Sequence, residues 1–329
     1  MITPPNRTAR WMLWGLKNGI PGWEFIPKTK IDISRNLHKE LCQIVGFSPQ
    51  ALSFYIGSPG AYRKAIFFIS NSGGERQAVL KLSLLPGANL SIEKEAQTLK
   101  KLNSLTTISG FVPELINTGQ IQGQSHLLMT PLAGSFGGYH LQSWHWLFLK
   151  RLWQAEKKTY CWQESPFREK NYEQISLLSK TNHFPTLQSA LSLLDENLFD
   201  QQLSFGWAHR DFTPWNIQIE KREPRVLDWE ISTNCAPPGY DLFHFCAIQK
   251  ALKRQELKSL PPNFSEWIDE VAPEWHSRES LLYLAYLLDQ AIFYSLARLD
   301  KPEIGNDKVL HWLLCALDKN IAKINQKIF

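Results

Sequence analysis

Between Trp207 and Glu230 the chain carries the pattern H-x-D-x-x-x-x-N, made by His209, Asp211 and Asn216, and a further aspartate, Asp228, twelve residues after the asparagine. An apolar, strand-like run leads into each part, ending at Ala208 and at Leu227. Phosphoryl transfer from a nucleotide needs few groups, but it needs them convergent. Moving a phosphoryl group from a nucleotide requires a carboxylate to orient the attacking hydroxyl, and an asparagine and an aspartate to hold magnesium on the phosphates. Asp211, Asn216 and Asp228 are the right types in that order. A single aspartate or asparagine in a turn is usually a local cap or Asx-turn. Four motif residues beside two apolar strands exceed what capping requires.

The surrounding pattern predicts an α+β chain with two unlike lobes. The spacing of Ile33, Leu37, Leu41, Ile44 and Val45 predicts a helix ending at Gly46. Strand-like runs follow at Ala51–Ile56, Ala65–Ser70 and Gln77–Leu84, the last two joined by the turn cluster Asn71-Ser72-Gly73-Gly74. A helix from Asn89 to Asn103 and strands near Leu115–Gly119 and Ser125–Thr130 complete a small, mostly antiparallel lobe. Pro131 to Gly138 reads as a connector. Beyond it, helices are predicted over 141–160, 186–199, 241–258, 277–299 and 306–326, interrupted by a β-rich island from Phe205 to Ile231. The expected division is a basic N-terminal extension (1–50), a small nucleotide-binding lobe (51–130) and a large helical lobe (131–329) with the catalytic and acceptor sites.

Both the H-x-D-x-x-x-x-N loop and the later Asp228-Trp229-Glu230 resemble the aminoglycoside phosphotransferase and choline kinase family, the small-molecule branch of the protein-kinase-like fold. The resemblance extends over about residues 50–320 and is sharp only in the catalytic segment. It implies ATP and Mg2+ as cofactors, Asp211 as catalytic base, Asn216 and Asp228 as metal ligands, and His209 as a support of the loop. Such an enzyme should also have a lysine in the small lobe. Lys81 lies mid-strand in Ala78-Val79-Leu80-Lys81-Leu82, where an unpaired ammonium is costly. Glu95 shares the helix face of Ile92, Ala96, Leu99 and Leu102, whereas Glu93 points with Gln97 and Lys100 toward solvent. Lys81–Glu95 is therefore the expected pair, against an edge-strand lysine reaching to water. The loop with Gly57 and Gly60 could cover phosphates with backbone N–H groups, although Pro59 removes one donor and a plain β-turn fits equally well. Asp241 resembles the family's aspartate that opens a helix and braces the catalytic loop, and it could equally be an N-cap. Arg210 stands where the small-molecule family usually has glycine. With only twelve residues from Asp228 to Asp241 and no A-P-E, a peptide platform is not expected, and the acceptor should be a small molecule such as an amino alcohol, an aminoglycoside or a sugar.

Composition sets the remaining bounds. At 329 residues, 43% hydrophobic, the chain is neither disordered nor collagen-like. Its most apolar stretch, Leu281 to Ala297, contains Asp289 and Gln290 and reads as a buried helix, so no membrane span is expected. The N-terminus lacks a secretory pattern, and the five cysteines (Cys42, Cys161, Cys235, Cys246, Cys315) have no C-x-x-C spacing, which suits a cytoplasmic protein without disulfides or zinc. The net charge is +5, of which +4 lies in residues 1–50, so a nucleic-acid partner is not expected. Two other readings stay open: a catalytically weak kinase-fold protein that binds nucleotide or a partner, and a module that binds an anionic polymer through its basic N-terminus. For the acceptor wall, Trp144, Trp146 and Trp153 are candidates, as is the acidic stretch Glu266 to Glu279 with Trp267 and Trp275; core packing and a solvated connection are the plainer readings of each.

Overall fold

The computed structural model describes residues 35–47, 49, 51–57, 62–299 and 307–328. The described residues divide into two compact units, those up to 139 with 214–231, and 140–213 with those from 232 onward. The kinase-like α+β architecture expected from the sequence is present. The first thirty residues, which carry most of the basic extension, lie outside the described residues.

The first unit is built on a five-stranded antiparallel sheet: β1 (Ala51–Ile56), β2 (Lys64–Ser70), β3 (Arg76–Ser83), β4 (Leu115–Ile121) and β5 (Gln124–Met129), in the spatial order β1-β2-β3-β5-β4. The Asn71 turn works as its composition predicts. Gly74, at φ +81°, donates to the Asn71 carbonyl, and the Asn71 side chain accepts the Glu75 amide. Alternation along β3 sends neighbouring residues to opposite faces. Leu80 joins Leu41, Ile69, Ala78 and Leu128 in a core that Ile44 and Val45 of helix α1 (Arg35–Val45) also cover. Lys81 turns to the other face. Helix α2 (Pro86–Asn103) starts three residues earlier than the spacing predicts, because Pro86 serves at its first turn, where no amide is needed. It buries Ala88, Ile92, Glu95, Ala96, Leu99 and Leu102, the face read from the sequence. Glu93 differs from expectation: it is half-buried and accepts a hydrogen bond from Ser125 Oγ at 2.7 Å, because the start of β5 lies beside it. A second small sheet joins β6 (Ser135–Phe136), β9 (Ile217–Glu220) and β10 (Glu223–Val226), in the order β10-β9-β6. This pairing groups the segment carrying Asn216 and Asp228 with the first unit.

The second unit is mainly helical. It contains α3 (Ser143–Gln154), α4 (Pro166–Ser176), α5 (Phe184–Leu198), α6 (Tyr240–Lys253), α7 (Phe264–Val271), α8 (Glu279–Leu296) and α9 (Lys308–Ile328), with one sheet of β7 (Lys158–Cys161), β8 (Gln202–Ala208) and β11 (Thr233–Ala236), ordered β11-β8-β7. The helix predicted over 141–160 therefore ends at Gln154, and its last residues pair with β8 as a strand. Strand pairing overrides local helical spacing there. Helix α4 was absent from the sequence reading, although Ser165 caps it and Pro166 opens it. The unit's core is aromatic. Trp162, Phe167 and Trp275 surround Phe205, and the indole N–H of Trp275 reaches the Ser204 carbonyl at 3.0 Å. Trp153 and Trp267 are also buried, while Trp144 and Trp146 are half-buried. The acids beside them have local partners: Glu270 with Lys150, Asp269 with His276, and Glu274 with the Ser204 amide. No helix among the described residues is long and apolar enough to cross a membrane.

Candidate active site

In the first unit, Lys81 Nζ lies 2.7 Å from both carboxylate oxygens of Glu95 and 2.7 Å from Asp228 Oδ1. The ammonium and Glu95 are almost fully buried. Burial alone would push the Lys81 pKa down, but the charges of Asp228 and Glu95 outweigh it and hold the group above the usual lysine range. Trp229 completes the corner. Its amide donates to Glu95 Oε1 at 3.2 Å, its indole N–H reaches the Val226 carbonyl at 2.9 Å, and its ring is buried.

The β9–β10 hairpin places Asn216 and Asp228 at its same end. Ile217 pairs with Val226, and the Leu227 amide extends the ladder to the Asn216 carbonyl at 2.9 Å. Asp228 then adopts φ +73°, a left-handed turn that breaks the strand. One carboxylate and one amide oxygen are hard donors, few in number, which suits Mg2+: this ion keeps several waters and shares its shell with substrate phosphates. The residues present fit that ion.

A second cation lies on the same sheet face. Ile66 pairs with Lys81, and Lys64 is two residues before Ile66. Lys64 Nζ contacts Ser91 Oγ at 3.0 Å and the Glu230 carboxylate, and Ser91 Oγ also reaches Glu230. Burial, then the neighbouring Lys81 charge, lowers the Lys64 pKa. The sequence reading missed this cluster, because Lys64 lies just before the strand-like run at Ala65–Ser70 and no local spacing ties it to Glu230, 166 positions away. Gly57 donates its amide to the Lys64 carbonyl at 2.9 Å, which closes the β1–β2 ladder. Gly60 lies outside the described residues.

In the second unit, Asp211 follows the end of β8. Its side chain is about one-third exposed, at 35%, so one face remains open. His244 Nε2 of α6 approaches Asp211 Oδ1 at 3.3 Å, and the Tyr286 hydroxyl of α8 approaches His244 Nδ1 at 3.3 Å. Asp211 also donates its amide to His209 Nδ1 at 3.2 Å. His209 is fully buried beside the loop. Asp241 is not the N-cap of α6, a position taken by Gly239 at φ +78°. Instead its buried carboxylate accepts the amides of His209 at 2.7 Å and Arg210 at 2.9 Å. Arg210, unexplained by sequence, is buried against Asp289 with Nη2–Oδ2 at 2.5 Å. Among the described residues no three His, Cys, Asp or Glu side chains cluster as a metal site of their own.

Comparison with known proteins matches residues 62–265 to the phosphotransferase enzyme family. Among solved structures, a thermostable mutant of aminoglycoside phosphotransferase APH(4)-Ia, in ternary complex with AMP-PNP and hygromycin B, aligns at TM-score 0.58 and 15% identity, covering 88% of this chain and 98% of that one. ADP-bound aminoglycoside phosphotransferase APH(2'')-Ib aligns at TM-score 0.55 and 16% identity, covering 88% and 98%. A putative fructosamine-3-kinase from Haemophilus somnus 129PT aligns at 0.52 and 16%, covering 88% and 96%. None of the curated proteins matches the chain significantly.

Proposed function

From the chain's membership of the phosphotransferase enzyme family, we propose that it transfers the γ-phosphoryl group of ATP to a hydroxyl of a small molecule: an amino alcohol, an aminoglycoside or a sugar-like acceptor. The observation that carries this reading is Lys81, a buried ammonium held between Glu95 and Asp228. A cation fixed at that cost by two carboxylates, one of them in the motif segment, suits a polyanionic ligand. The nucleotide-bound aminoglycoside phosphotransferases of similar fold support the choice of donor.

In this mechanism the acceptor oxygen attacks the γ-phosphorus, a new P–O bond forms, and the bond to the bridging oxygen breaks, with its electron pair leaving on ADP. Asp211 orients the hydroxyl and receives its proton on the open carboxylate face. Lys81 holds the donor phosphates, and Glu95 keeps Lys81 in place. Asn216 and Asp228 would hold Mg2+, which when bound neutralises charge on the phosphates. Asp211 and Asn216 are five positions apart in the chain, within the one motif segment.

The test is ATP consumption across a panel of hydroxylated metabolites and aminoglycosides, comparing wild type with Asp211→Asn. The reading expects an acceptor-dependent signal that the variant loses while still binding nucleotide. Equal turnover by both proteins would remove Asp211 from the base role. An absence of nucleotide binding by the wild type would overturn the kinase reading as a whole.

A further inference from the structure

Two sequence features stand outside the reaction above: the arginine directly before the proposed base, and the polar pair that interrupts the apolar helix α8. The fold joins them. Arg210 has φ +67°, in the left-handed region that favours glycine. A side chain stays there only where its surroundings enforce it. Three groups do so. Asp241 Oδ1 accepts the Arg210 amide at 2.9 Å, Gln290 Nε2 donates to the Arg210 carbonyl at 3.2 Å, and Asp289 Oδ2 takes the guanidinium through Nη2 at 2.5 Å and Nε at 3.1 Å. The same Gln290 amide reaches the Tyr240 hydroxyl at 2.8 Å, and that hydroxyl donates to Asp289. Lys170 supplies a second cation to Asp289 Oδ1. Asp289 and Gln290 are at most 1% exposed and Arg210 7%. Burial would raise the Asp289 pKa, but Arg210 and Lys170 outweigh it and keep the carboxylate charged.

The Arg210 carbonyl belongs to the peptide that enters Asp211. A flip of that peptide out of the left-handed conformation would re-aim the Asp211 side chain. We propose that Arg210, Asp289 and Gln290 are positioning residues for phosphoryl transfer, fixing the peptide that precedes Asp211 and so aiming the base without any modification of the protein. Where a kinase loop is ordered by phosphorylation, the anion for an arginine arrives on the segment that is modified. Here the anion is a carboxylate built into α8, 79 positions along the chain. The proposal rests on the reading of Asp211 as the base.

The test compares wild type, Asp289→Asn, Asp289→Glu, and Lys170→Met, which removes a cation from the same carboxylate without touching the loop. Three quantities are read: thermal stability, steady-state kinetics with Mg-ATP and the acceptor found in the panel (or water, as intrinsic ATP hydrolysis), and hydrogen exchange of the 205–213 amides. Asp289→Asn should lower kcat on the order of 100-fold, with the KM for ATP changed less than about threefold, and should speed exchange at His209 and Arg210 at temperatures where α8 stays protected. Asp289→Glu should recover part of kcat, and Lys170→Met should lose stability with kcat near wild type. Equal kcat losses in Asp289→Asn and Lys170→Met, or kcat that merely follows the folded fraction, would overturn the proposal. If wild type binds and turns over no nucleotide, the kinase reading falls on that result. The exchange data then decide the clamp alone, and unchanged exchange in Asp289→Asn would refute it.

Discussion

Lys81→Met tests the first-unit site most directly, because the structure ranks it against its neighbours. The substitution keeps most of the stem volume and removes the ammonium. It takes the ammonium away from two carboxylates: Glu95, whose side chain is 1% exposed, and Asp228, whose side chain is 20% exposed. Glu95 keeps only the Trp229 amide among the partners described above. Breaking a buried pair by removing one member costs about 3–5 kcal/mol. Glu95→Gln should cost less, about 1.5–3 kcal/mol, the worth of a hydrogen bond to a charged group, since Lys81 retains Asp228. In the double variant, only the partly hydrated Asp228 is left without its cation, so the two changes should be less than additive by about 2 kcal/mol. Urea unfolding, followed by circular dichroism and tryptophan fluorescence with coincident transitions as the check on two-state behaviour, reads all four proteins. A saturating Mg-nucleotide at about 100 times its Kd should stabilise wild type by about 2.7 kcal/mol, and Lys81→Met should lose most of that gain. Additivity of the two single changes within about 0.5 kcal/mol, or an undiminished nucleotide effect in Lys81→Met, would refute the assignment of Lys81 as a coupled, phosphate-facing ammonium.

Two further outcomes are expected. Gly206→Ala should lower the melting temperature, because a Cβ there would meet the Trp153 carbonyl oxygen at 2.1 Å and its ring at 2.9 Å; overpacking of this kind costs about 1–3 kcal/mol or more, and a melting temperature equal to wild type would contradict the packing of β8 on α3. Asp289 makes stability depend on acid: its folded pKa lies below the roughly 3.9 of an unfolded aspartate, so the unfolded chain takes the proton first, and the stabilisation present above about pH 4 is lost as pH falls toward the folded value. The stability gap between wild type and Asp289→Asn should therefore narrow below about pH 4 in denaturant titrations, and a gap that widened on acidification would contradict the sign.

What could be read from the chain and what could not divide along the range of the interactions. Asp211, Asn216 and Asp228 are one short segment, so their residue types and spacing could be read together before any fold was known, and the roles proposed for them rest on that reading. Lys81 and Glu95 are 14 positions apart; the family resemblance called for such a lysine, its apolar strand singled out Lys81, and helix periodicity chose Glu95 over Glu93. That last choice is a local rule. The Lys64–Glu230 contact spans 166 positions, and Arg210–Asp289 spans 79. No periodicity links such residues; only the folded chain sets their distance. The second of these still left a trace, in two residues that broke their local pattern: a charge in an apolar helix, and an arginine where the backbone favours glycine. Asp289 in an 18-residue helix that buries Leu282, Leu284, Leu287 and Leu288 has no local justification, since a lone buried carboxylate is destabilising. It requires a cation from elsewhere in the chain. Arg210 is equally unaccounted for within its loop. Two local violations of opposite charge, each costly alone, are the sequence-level form of one buried pair, and matching them is how this clamp could have been inferred before the structure.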